Sequence, residues 1–157
     1  MLVFSRRSLA LLTAGGALIV AALSTMPWWV EWTGGADWKA FLGRFHPVVL
    51  HLPIGIVSLA ALLEVAHCTD RSKAPHGAGW LVLGAATVSA VAAAVTGILL
   101  SRGGDYAPEL LTRHQWLGVA FACGMVLVLL AKGWSDALGH GGWFYRVLLA
   151  GNVVLMA

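Results

Sequence analysis

Six histidines stand in a chain of 157 residues of which only 11% are charged. Three of them, His46, His51 and His114, fall where long apolar runs begin, in "GRFHPVVLHLPIG" and "RHQWLG". An ionisable side chain within a bilayer costs a few kcal/mol to desolvate, and those found there usually face the bundle interior and carry function. His67, His76 and His140 sit in polar connections or at the ends of runs, where water solvates them. The first three imidazoles are the ones whose chemistry asks for an explanation.

Helical spacing suggests what surrounds them. His51 is followed four residues later by Gly55, and His114 four residues later by Gly118, so each glycine lies on its histidine's face one turn deeper. An imidazole above a patch bare of side chains suits a planar macrocycle, because a larger side chain would collide with the ring. Arg44 lies seven residues before His51, near the same face, and Arg113 directly precedes His114. Their guanidinium forks can pair with carboxylates such as haem propionates, or snorkel to lipid phosphates. These positions support one b-type haem held between two helices, with His51 and His114 as axial ligands. His46, Tyr106 and a carbonyl freed by proline are candidates for the groups that fix each ring's tautomer. Pro47 suits a first helical turn, whereas Pro53 lies inside and leaves the Val49 carbonyl without its usual donor. His46 and His51 are separated by roughly 140° around a helix, so they cannot both face one cofactor equally. The plain alternative is that the histidines bond backbone groups and pin the helix mouths. A zinc or copper site is a weaker reading, with no cysteine nearby and only Asp105 and Glu109 as loop acids. No GxSxG, P-loop or HExxH pattern is present.

The elements that must position these residues are membrane helices. With 59% hydrophobic residues and a mean hydropathy of +0.82, the chain lies far outside the composition of soluble domains. It reads as an all-α integral membrane protein, a single helical domain over residues 1–157 with four to five transmembrane helices. The spans are expected at Leu9 to Trp29, Pro47 to Ala66, Gly79 to Leu100 and His114 to Ala131, each near the ~20 residues needed to cross ~30 Å of hydrocarbon. A fifth apolar run goes from Trp143 to Ala157, where further chain is expected to follow. The basic, apolar start "FSRRSLALLTAGGALIV" resembles an export signal but runs on to Trp28 and Trp29, which suit an interfacial aromatic belt, and reads as an uncleaved anchor. The third span, rich in Gly, Ala, Ser and Thr, is expected to be central in the bundle.

Net charge is +3, but Lys and Arg stand singly at the ends of apolar runs and read as interfacial anchors, so nucleic acid is not an expected partner. Arg6, Arg7, Arg71, Lys73, Lys132 and Arg146 would share one side against Lys39, Arg44, Arg102 and Arg113 on the other. That bias places the N-terminus in the cytoplasm of a bacterial inner membrane and the histidine trio toward the periplasm. Glu64, far along the second span, is expected to pair near the cytoplasmic boundary, and Asn152 to bond between helices. Cys68 and Cys123 form no CxxC or CxxCH motif and read as small buried residues.

"FLGRFHPVVLHLPIGIVSLAALLE" followed by "GILLSRGGDYAPELLTRHQWLGVA" resembles a bacterial membrane domain of unknown function often fused ahead of c-type cytochrome domains. The resemblance covers about residues 40–125 and singles out His46, His51, Asp105, Tyr106 and His114. It implies a bundle of four or five spans, association with electron transfer and a c-type cytochrome or larger redox complex as partner. The chain itself carries no CxxCH. The expected function is a membrane-embedded electron-transfer subunit, a carrier rather than a stand-alone enzyme. Two alternatives remain, a haem-free structural anchor and a quinone-binding subunit using the same histidines with Trp116 and Phe45.

Overall fold

Apolar runs of this length satisfy their backbone groups in lipid only by forming helices, and a computed structural model shows that architecture. It describes residues 5–29, 37–69, 78–101, 107–139 and 142–156. The elements among them are α1 (Arg6–Trp29), α2 (Asp37–Gly43), α3 (His46–Thr69), α4 (Ala78–Ser101), α5 (Pro108–Leu138) and α6 (Trp143–Met156). Four stretches, Arg6–Trp28, Trp38–Thr69, Gly79–Ser101 and Pro108–Leu138, are long and apolar enough to cross a membrane. At 14 residues α6 is shorter, about 21 Å of helix.

Two elements differ from the sequence expectation. The short helix α2 precedes α3 and lies against α4, where Gly43 comes so close that a Cβ would stand 2.7 Å from the Leu100 backbone nitrogen. The helix expected at His114 to Ala131 begins six residues earlier and runs seven further. Pro108 opens it, where a missing N–H costs nothing, and Glu109 in the first turn suits the helix dipole. It ends at Gly139, which takes φ 67° and donates its N–H to the Ser135 carbonyl.

Helix α4 is the hub. It packs against α1, α2, α3 and α5, and its alanines Ala86, Ala90, Ala93 and Ala94 are buried. Small side chains let the neighbouring backbones close in where lipid supplies no hydrophobic drive. Larger residues, Val57, Leu83, Met125, Val128 and Leu149, fill the core between the helices. Helix α6 packs on α5 and α3, whereas α3 and α5 share no extended contact and α4 stands between them.

A polar clamp ties one end of the bundle. Glu64 of α3 accepts hydrogen bonds from the Tyr145 hydroxyl at 2.8 Å and Arg146 Nε at 3.0 Å, both on α6. Beside it Asp136 of α5 accepts from Trp80 Nε1 of α4 at 2.8 Å and pairs with Lys132 at 2.7 Å. Glu64 thus pairs with a cation at a helix end, as its position suggested. Asn152 does not bridge helices: its Nδ2 donates to the Leu148 carbonyl of its own helix, and its side chain lies against Gly124, which is too close to carry a Cβ. Neither cysteine is fully buried, since Cys68 is exposed at the clamped end of α3 and Cys123 is partly covered near the Ser24 hydroxyl.

Candidate functional site

The opposite end of the bundle gathers imidazoles. His46 is the first residue of α3 and half-buried, and its Nδ1 lies 3.0 Å from the Ala93 carbonyl of α4 and 3.4 Å from Thr96 Oγ1. A carbonyl only accepts, so Nδ1 carries the proton and Nε2 keeps its lone pair. Gly97 makes room for the ring, because a Cβ there would stand 2.9 Å from His46 Cε1. His114, near the start of α5, is exposed and presents its ring to that of His46 with centroids 6.2 Å apart and planes at 78°. The two imidazoles therefore meet across the gap that α3 and α5 leave beside α4.

Two adjoining cavities flank this pair. The larger, about 250 Å³, lies toward the helix ends and is walled by Leu100, Ala107 and Leu110. The smaller, about 70 Å³, lies deeper against Ala90, Gly118 and Phe121. His46, Gly97, Ser101, Leu111 and His114 line both. The walls are otherwise apolar, with one exception in the deeper cavity: Gln115, whose Nε2 is buried and has no hydrogen-bond partner among the described residues. The Ser101 hydroxyl is already spent as a donor to the Ile98 carbonyl.

The structure brings together some of the expected site residues and separates others. His46, expected as a supporting group, faces His114, and Gly118 lines the deeper cavity one turn below it. His51, expected as the ligand opposite His114, is turned onto the outer face of α3. It is exposed, lines neither cavity, and donates from Nδ1 to the Pro47 carbonyl at 2.6 Å. The rotation between positions 46 and 51 is the reason: α3 can aim only one of them at α5, and the Ala93 carbonyl and the bare Gly97 receive His46. Gly55 follows His51 outward and has open space beside it. Arg44 and Arg113 are exposed at this end of the bundle and line neither cavity. Tyr106 and Asp105 lie outside the described residues. Among the described residues no group of three His, Cys, Asp or Glu gathers as a metal site.

Ala93, Gly97 and Gln115 were not foreseen. A carbonyl acceptor leaves no trace in residue type, and Gly97 stands in a run of small residues where nothing marks it out. Gln115 carried a readable signal, a polar side chain within an apolar span.

The fold and the paired imidazoles describe a multi-pass helical membrane protein with a cavity near one face. The chain belongs to the family described as a predicted membrane protein (DUF2231), whose sequence profile matches residues 44–157, from the approach to α3 through α6. Helices α1 and α2 precede the matched region. No curated protein and no solved structure matches the chain.

Proposed function

We propose that the chain is a membrane-embedded electron-transfer subunit whose redox group, a b-type haem, lies between His46 and His114. The observation that carries this reading is the pair itself: two imidazoles face one another at 6.2 Å, one of them held by a backbone carbonyl. Metal-bound histidines almost always donate their second ring nitrogen to such an acceptor, which fixes the tautomer and raises ligand basicity. His46 and His114 would hold the haem through their imidazole nitrogens, their rings already standing face to edge 6.2 Å apart. Gly118 leaves the neighbouring wall bare, and Gly97 seats the His46 ring. The two cavities, about 250 and 70 Å³, are partly open to the outside of the bundle, and a porphyrin would extend beyond them.

A bound haem would supply one-electron chemistry between ferric and ferrous iron. The residues of the chain hold and insulate it. His46 and His114 are the ligands, the Ala93 carbonyl orients His46, and Leu50, Leu111 and Phe121 keep water from the deeper side. Arg44 and Arg113 offer cations to carboxylates at the exposed end. The resemblance to domains fused to c-type cytochromes supports a c-type cytochrome or a larger redox complex as the electron partner. The distribution of Lys and Arg supports a bacterial inner membrane with the histidine end toward the periplasm.

A visible spectrum and a pyridine haemochrome assay on the purified chain test the reading. A b-type band is expected, lost in His46→Ala and in His114→Ala and retained in His51→Ala. A folded chain without that band, or a band indifferent to both His46→Ala and His114→Ala, overturns it.

A further inference from the structure

The two imidazoles of the site are not held alike. His46 is half-buried, its Nδ1–H donates to the Ala93 carbonyl of α4 at 3.0 Å, and the Thr96 hydroxyl stands 3.4 Å from the same nitrogen. Gly97 seats the ring, so a turn of the side chain costs it both the bond and the seat. His114 has no such anchor. It is exposed, neither of its nitrogens has a hydrogen-bond partner among the described residues, and Ala107, Leu110 and Leu111 beside it in the larger cavity carry apolar side chains. Exposed side chains exchange rotamers in picoseconds to nanoseconds, and an outward turn takes this ring into open space.

Strength as a ligand follows the same asymmetry. A metal-bound histidine gains basicity by donating its second ring nitrogen to an acceptor, and loss of that acceptor typically weakens binding about 10–100-fold. The Ala93 carbonyl gives His46 this support, and no described group gives it to His114. His51 cannot take over, because it faces outward from α3 and lines neither cavity.

We infer that in the haem site His46 is the permanent ligand and His114 an exchangeable one, which yields its place to a small uncharged diatomic molecule of the carbon monoxide type. In the exchange the bond between iron and the His114 nitrogen breaks and its lone pair stays on the imidazole. The ring swings outward, and the lone pair of the incoming molecule forms the new bond, with no electron or proton transferred. The apolar walls at Leu100, Leu110 and Leu111 suit an uncharged ligand. The electron carrier thereby has a second state, in which a dissolved gas replaces His114. The inference rests on haem being the occupant of the site.

Carbon monoxide added to the dithionite-reduced, detergent-solubilised full chain tests it, with the visible spectrum followed by stopped flow. A saturable spectral shift is expected, at a rate that levels off at high carbon monoxide because His114 must leave first. His114→Ala is expected to lose the bis-imidazole band but keep haem on His46, counted by pyridine haemochrome, and to bind carbon monoxide without the plateau. His46→Ala is expected to weaken haem binding at least tenfold more than His114→Ala does. Circular dichroism and gel filtration confirm that each variant is folded. A b-type band that does not respond to carbon monoxide overturns the inference and leaves the haem reading standing, and so does equal loss of haem affinity in the two variants. A folded chain without a b-type band overturns both.

Discussion

At the scale of single residues, the site depends on the absence of one side chain. His46 reaches the Ala93 carbonyl only because Gly97, one turn further along α4, has no Cβ to meet its ring. Gly97→Val would place methyl groups where Cε1 now lies, and the imidazole is the mobile partner, so it must leave its acceptor. Overpacking of this kind costs about 1–3 kcal/mol. Gly97→Val is expected to fold with a lowered thermal midpoint and to lose at least tenfold in affinity for haem. Gly55→Val is the matched control, because its glycine borders open space on the outer face. Equal losses in the two variants would show that His46 does not depend on Gly97. Glycines also explain why the pairing of His46 with His114 was only half-legible from sequence. The motif of an imidazole above a glycine is present at both His51 and His114, but it describes one helix at a time. The contact that selects His46 crosses to another helix and ends on a backbone oxygen, which residue type does not record.

At the scale of elements, helix existence was legible and helix rotation was not. An amphipathic helix announces its buried face through periodic apolar residues, whereas a span that is apolar all round does not. Helix α3 is of the second kind. Val48, Leu52, Leu59 and Leu62 are exposed while Val57 and Ala60 are buried, with no difference in residue type to separate them. Phase is set instead by a few polar or close contacts: at the clamped end Glu64 joins α3 to α6 and Asp136 joins α5 to α4, and at the other end His46 reaches the Ala93 carbonyl of α4. Glu64→Gln keeps the shape but removes the charge, leaving the half-buried Arg146 without its carboxylate. The expected cost is about 1–3 kcal/mol, seen as a lower midpoint for unfolding in detergent. Glu64→Leu should cost more, since the Tyr145 hydroxyl loses its acceptor too. The cavity, some 18 residues and therefore about 27 Å along α3, should retain its ligand in both variants at temperatures where they are folded. If ligand binding fell in step with charge removal while the unfolding midpoint stayed fixed, the clamp would be part of the site rather than a fastening.

At the scale of the whole molecule, the two ends of the bundle divide the labour: one is joined by charges and hydrogen bonds, and the other is left with a cavity, two imidazoles and an unused amide. That polarity has to map onto the two faces of the membrane. Helix α3 runs 24 residues from His46 to Thr69, about 36 Å, so Arg44 and Cys68 at its two extremities emerge on opposite sides of a ~30 Å hydrocarbon layer. The native cysteines make this measurable, because Cys68 is exposed and Cys123 lies within α5 against α1. In a Cys123→Ala background, a membrane-impermeant maleimide added to intact cells expressing the chain is expected to leave Cys68 unmodified until the inner membrane is opened. In Cys68→Ala with Arg44→Cys, the new thiol should react without that step once the outer membrane is permeable. The reverse pattern would put the paired histidines on the cytoplasmic face and replace an external electron partner with an internal one. Labelling of both thiols from the same side would break the spanning topology of α3 itself, and with it the depth at which His46 and His114 are held.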